Sequence, residues 1–207
     1  MVDWLVVGLG NPGPEYRDHR HNVGFMVAER FARACGIALG RQKFKAEYGE
    51  GTFGEGERAL HVMVLLPQTY MNLSGESVGR AAAFWQVAPE RILVVHDDID
   101  LELGVVRVKR DGGHGGHNGL RSLHEHLGGG GYPRVRVGIG RPAHGTVEDF
   151  VLQPFRPDER VGLDDVIDLA VEGVKATLTM GAERASSRFP RKKKEEPGNK
   201  PGKKETQ

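Results

Sequence analysis

The sequence has little cysteine: one residue, Cys35, in 207. No internal disulfide can form, which fits a reducing compartment. Cys35 falls on the apolar face of a predicted helix, so a buried and inert thiol is expected. Long hydrophobic runs are also missing. No stretch approaches the ~20 apolar residues of a membrane span, so no membrane association is expected. The opening Met1-Val2-Asp3-Trp4 lacks the basic stretch of a secretory signal, and the apolar run after it is broken by Gly8 and Gly10. No signal peptide is expected, and the chain is read as cytoplasmic. No internal repeat is visible. There is no HExxH and no cysteine cluster, so the common zinc patterns are missing.

What remains is the composition of a globular chain, 38% hydrophobic and 28% charged. The length suits one domain with a full core rather than two. Formal net charge is only +1, yet it is unevenly spread. Residues 104–141 sum to +5 and residues 191–207 to +4, while 1–103 and 142–190 are each −4. A polyanionic partner would meet those two basic stretches, which otherwise read as a solvated face and a loose end.

Hydrophobic patterning predicts strands at Asp3–Leu9, Ala46–Phe53, Ala59–Leu66, Ile92–Val95, Val105–Val108 and Val135–Ile139. Helices are predicted at Val23–Cys35 with Asn22 as cap, at Ser74–Trp85 with Ser74 as cap, at Leu120–Leu127, and at Val161–Met180. The two strands around Gly54-Glu55-Gly56 read as a hairpin ended by Pro67. Strands interleaved with helices indicate an α/β fold: a single globular domain over 1–190, its twisted mixed sheet flanked by helices. Residues 191–207, rich in Lys, Glu, Pro and Gly, read as a basic disordered tail.

Gly8-x-Gly10-x-x-Gly13 matches the spacing of a dinucleotide-binding turn. That turn needs a helix starting at the glycines, so that its amides hold pyrophosphate. Here Pro12 and Pro14 follow, and helical periodicity begins about ten residues late. No nucleotide cofactor is expected. His114 and His117, with His96 and Asp97, are a second candidate, for a metal. The glycines between them argue for backbone freedom instead, and no metal is expected.

Polar segments follow several predicted strands: Asn11, then Tyr70-Met71-Asn72, Asp97, and His114–Asn118. Together they suggest one pocket beyond the strand ends. Among nine histidines, His21 stands out between Arg20 and Asn22 at a helix entrance. A neutral imidazole with a carboxylate partner can act as a general base, and Asp97 is the best placed partner. On the residues alone this pairing is one possibility among several.

Five runs carry a resemblance: GLGNPGPEYRDHRHNVGF at 8–25, LLPQTYMNLSGESV at 65–78, ILVVHDDIDLELG at 92–104, GGHGGHNGLRS at 112–122 and RVRVGIGRP at 134–142. In order and spacing they resemble the bacterial peptidyl-tRNA hydrolase family, over roughly residues 3–190. The resemblance implies a metal-independent enzyme that cleaves the ester between a peptide and the 3′ ribose of tRNA. It implies His21 as the base activating water, with Asp97 orienting it. Asn11 and Asn72 would hold the substrate, and Asn118 would position water and peptide backbone. Tyr16 and Tyr70 would meet the tRNA end or the peptide, although phenylalanine is common at the position of Tyr70. Lys109 and Arg136 would bind tRNA phosphates. It further implies a monomer with no obligate protein partner and no cofactor. A lysine usual after the RVGIG strand has no counterpart at Ala143-His144-Gly145, leaving Arg141 or His144 as substitutes. A non-enzymatic RNA-binding member of the same fold is the rival reading.

Overall fold

Seven strands form one mixed sheet in the order β2-β3-β4-β1-β5-β7-β6. They span Trp4–Gly8 (β1), Arg41–Lys43 (β2), Ala46–Phe53 (β3), Leu60–Pro67 (β4), Ile92–Asp98 (β5), Val106–Lys109 (β6) and Arg134–Gly138 (β7). The computed structural model describes residues 1–189, so the tail expected over 191–207 lies outside the described residues. Strands β4, β1, β5 and β7 are mutually parallel, whereas the β2–β3, β3–β4 and β6–β7 pairs are antiparallel. Parallel central strands must be covered on both faces, which is why Leu5, Val6, Val7, Leu93, Val94 and Val95 form unbroken apolar runs.

The helices are Val23–Ala34 (α1), Ser74–Trp85 (α2), Asn118–Leu127 (α3), Val147–Val151 (α4), Pro157–Arg160 (α5), Leu163–Met180 (α6) and Ala182–Arg188 (α7). One core layer sets Val6, Leu93 and Val95 against α1, α6 and α7. The other sets Leu5, Val7 and Val94 against Val78 and Ala82 of α2 and Leu120 and Leu123 of α3. Burying each such branched side chain stabilises the fold by about 1.5–3 kcal/mol relative to exposure. Among the described residues, no helix is long and apolar enough to cross a membrane.

Several expectations need correction. Asn22 does not cap α1 with its side chain; its amide is used on Asn11 instead. Ser74 lies within α2 rather than before it, and its hydroxyl donates to the Met71 carbonyl. The strand after residue 92 continues through Asp98, so His96 and Asp97 are strand residues and not loop residues. Edge strand β2 and the short helices α4, α5 and α7 were not anticipated, because none shows a sustained period of its own.

Glycine at position 24 decides where the catalytic-looking segment sits. A Cβ there would lie 2.4 Å from the Val95 carbonyl oxygen and 2.5 Å from that of Leu9. Only glycine lets the first turn of α1 touch the strand backbone so closely. Gly8 meets the same helix, since its Cβ would lie 2.4 Å from the Gly24 carbonyl oxygen. The glycines after β1 therefore serve helix-on-strand packing, with α1 starting ten residues beyond Gly13.

Candidate active site

Asp97 stands at the end of β5, where the entrances of two helices on opposite faces of the sheet converge. His21 lies in a short turn, Arg20–Asn22, leading into α1. His117 is the residue before α3. His21 Nδ1 donates to Asp97 Oδ1 at 2.8 Å, and His117 Nε2 donates to the same oxygen at 2.9 Å. The carboxyl group is 2% exposed and His21 is 8% exposed. Burial by itself would raise the Asp97 pKa, but the two imidazoles outweigh it and hold the carboxyl well below the usual range. Asp97 is therefore an acceptor, and both ring nitrogens facing it carry protons.

The remaining nitrogens differ. His117 Nδ1 accepts the amide N–H groups of Gly119 and Leu120, at 3.1 and 3.4 Å, and so caps α3. Its tautomer is thereby fixed as Nε2–H. His21 Nε2 has no hydrogen-bond partner among the described residues, and the ring lines a cleft of about 1080 Å³. A bare, cleft-facing nitrogen opposite a carboxylate-bound one is the arrangement of a general base.

Neighbouring amides are fixed as well. Asn11 Oδ1 accepts the Met71 N–H at 2.8 Å, while the Asn11 backbone exchanges two 2.9 Å bonds with the Asn22 side chain. The Met71 donor settles which end of the Asn11 amide is oxygen. Asn11 Nδ2 is then the end available to the cleft, as a donor to a carbonyl or oxyanion.

Asn72, Asn118 and Tyr70 also line the cleft, as do Lys109 and Arg136. Asn118 Oδ1 accepts from Arg121 at 3.1 Å. Tyr70 is 59% exposed, and its ring meets Tyr16 edge-on at 6.4 Å. Tyr16 itself lies beside the lining rather than in it. Arg136 is paired with Asp98 at 2.6 Å. Of the substitutes considered for the missing lysine, Arg141 pairs with Asp100, and His144 lines a separate shallow groove.

Two features escaped the sequence reading. The sequence groups His117 with His114, His96 and Asp97 as a metal candidate but hides its hydrogen bond to Asp97, since β6 is antiparallel and its end, Lys109, pairs with Arg134 at the far side of the sheet. Residues 110–117 bring the chain back toward Asp97, which pairs with Val137. Arg134 holds that return: its guanidinium donates to the Gly113 carbonyl at 2.7 Å and to the Gly112 carbonyl. Arg121 is the second. It stands at the cleft without a carboxylate partner among the described residues.

His21, Asp97 and His117 place three possible ligand atoms within 4.8 Å of one another. His114, paired with His117 in the sequence reading, is not among them; its Nδ1 accepts from the Gly116 N–H. A metal would need a bare nitrogen from each histidine. The two amide donors on His117 Nδ1 require the proton on its other nitrogen, so the trio is built as a hydrogen-bonded fork.

Residues 5–197 match the family model described as peptidyl-tRNA hydrolase. The peptidyl-tRNA hydrolase of Geobacter sulfurreducens is 49% identical over 189 residues, 91% of this chain and 96% of that protein. That of Symbiobacterium thermophilum is 48% identical over 187 residues, covering 89% and 97%. A crystal structure of the Acinetobacter baumannii enzyme superposes with a TM-score of 0.82 at 41% identity, over 91% of this chain and 96% of that one. A peptidyl-tRNA hydrolase structure with n-propanol gives 0.81 at 44%, over 90% and 93%. With the family model spanning nearly the whole chain and the same fold in solved relatives, the chain belongs to the peptidyl-tRNA hydrolase family.

Proposed function

We propose that this protein hydrolyses the ester linking a peptide to the 3′ ribose of tRNA, with His21 as general base. The observation that carries the mechanism is the polarity of the His21 ring, with Nδ1 bound to Asp97 and Nε2 turned to the cleft. The names of the relatives supply the substrate.

Nε2 takes a proton from water as its oxygen adds to the ester carbonyl carbon. Asp97 stabilises the imidazolium that forms. The tetrahedral oxyanion receives a hydrogen bond from Asn11 Nδ2. On collapse the carbon–oxygen bond to the ribose breaks, and the imidazolium returns its proton to the departing hydroxyl. No metal or cofactor enters these steps. His117 holds Asp97 as a second donor on the same oxygen and leaves His21 the outer position.

Asn72 and Asn118 offer both donors and acceptors to a peptide backbone, which allows binding without reading side chains. Tyr70, backed by Tyr16, offers a ring face for the terminal base or the peptide. Lys109 and Arg136 meet acceptor-end phosphates. The reaction is assigned to a cytoplasmic monomer without a protein partner.

The test is release of tRNA from an N-blocked aminoacyl-tRNA, measured with and without a chelator. Turnover indifferent to the chelator is expected. Binding without turnover would favour the RNA-binding reading, and loss of turnover with chelator would favour a metal on the His21–Asp97–His117 trio.

A further inference from the structure

Arg20 shares a turn with His21, yet it points into the protein and is 1% exposed. Its guanidinium donates to the carbonyls of Phe150 and Gln153, both at 3.3 Å, and pairs with Glu159 at 2.5 Å. The charge also lies 4.3 Å above the Phe150 ring. Glu159 is half-buried, with its side chain 7% exposed, and is itself anchored: its carboxylate accepts the Arg156 N–H at 2.8 Å. The backbone adds further ties. The Arg20 N–H donates to the Gln153 carbonyl at 3.0 Å, and the Phe155 N–H to that of Asp18 at 3.3 Å. His19 forms a bridge with Pro154.

These contacts join the turn that carries His21 to the segment around α4. That segment supplies Val147, Glu148, Val151 and Leu152 to the wall of the cleft. None of the contacts reaches the reacting atoms. A buried ion pair is also an inefficient way to hold a loop, because desolvating both charges offsets most of their attraction, and an apolar pair of like shape stabilises as well. What a guanidinium adds is direction. Its planar fork fixes two carbonyls and a carboxylate in one orientation.

We propose that Arg20 is a positioning residue for the hydrolysis, with Glu159 as its anchor, and that the pair sets the distance between His21 and the α4 wall. An ester lying against that wall is then within reach of Nε2. The proposal rests on His21 being the base. Small displacements matter here: about 1 Å of misplacement can cost on the order of 100-fold in rate.

The experiment compares Arg20→Met, Arg20→Lys and Glu159→Gln with the wild type by steady-state kinetics on N-blocked aminoacyl-tRNA. The His21 ring is followed by NMR through a pH titration. Val174→Ala, in the core layer away from the cleft, controls for lost stability. Arg20→Met is expected to lower kcat about 10-fold or more, to change KM by less than about threefold, and to displace the His21 titration. Arg20→Lys should recover part of the loss, while Val174→Ala should lower Tm but leave kcat and the titration as they were. A folded Arg20→Met protein with kcat within about twofold and an unchanged titration would reduce Arg20 to packing. If Arg20→Met does not fold, Glu159→Gln, which keeps shape and an acceptor, is judged by the same thresholds. His21→Ala is run alongside. Full activity there would overturn the base assignment, whereas the NMR titration of the Arg20 and Glu159 variants judges the positioning role independently.

Discussion

Two imidazole N–H groups on one oxygen of Asp97 give the two histidines unequal freedom. His117 is tied at both nitrogens, and His21 at one. If His21 is the base, His21→Ala should lower kcat by about 10² to 10⁴ with the fold retained. Asp97→Asn should fall less far, since it keeps shape but loses the charge facing the imidazolium. The double variant should be little worse than His21→Ala, because an orienting group then has nothing to orient; additive losses in folded proteins would refute the coupling. Because the Asp97 carboxyl is held well below its usual range, Asp97 stays charged as pH falls, so a loss of rate on mild acidification should not come from Asp97. His117→Asn separates two roles. Asparagine is a good N-cap, so the folding stability should stay within about 1 kcal/mol of wild type. The second donor on Asp97 is lost, so kcat should fall, though less than in His21→Ala. Unchanged kcat would make His117 a cap alone.

Helix entrances, more than helices, build this site. α1 and α3 were legible because Val23, Val27 and Phe31, and Leu120 and Leu123, recur at helical spacing. Their caps were not, because which side chain serves a cap depends on partners distant in sequence. Asn22 is drawn to Asn11, 11 residues away, and His117 caps α3 while its other nitrogen reaches Asp97. The approach of α1 to β5 was equally hidden, since the constraint lies in an absent side chain at Gly24. Gly24→Ala would press a methyl against the Val95 carbonyl oxygen of β5 and the Leu9 carbonyl oxygen just past β1. Overpacking of this kind typically costs about 1–3 kcal/mol. Both Tm and kcat should drop, because the helix start and His21 must move together. A drop in Tm with kcat intact would show that His21 is held independently of α1.

At the scale of the whole molecule, the α/β class and the mixed sheet followed from strands interleaved with helices and one hairpin. Edge strand β2, three residues long and exposed, leaves no such trace. The basic stretch at 104–141 was legible as charge but not as position. Arg134 is buried among glycine carbonyls, Arg136 and Arg141 are paired, and Lys109 is left exposed at the cleft. Lys109→Ala should therefore raise KM for tRNA substrates more than Arg136→Ala does. Each phosphate contact contributes on the order of one unit to the salt slope of binding. The defect should shrink as salt rises and be small on substrates lacking the tRNA body. Equal losses on both substrate types would mean that these side chains shape the cleft itself.

The fork at Asp97 also has a kinetic side. Its two branches arrive 76 residues before and 20 residues after in the chain, one from each layer of the sandwich. Neither half of the molecule can assemble it alone, and the long-range closure is the slower kind. Turnover should thus return only with the last phase of refolding, after helical circular dichroism has recovered. Activity reappearing in an earlier phase would show that the fork forms before both layers have docked.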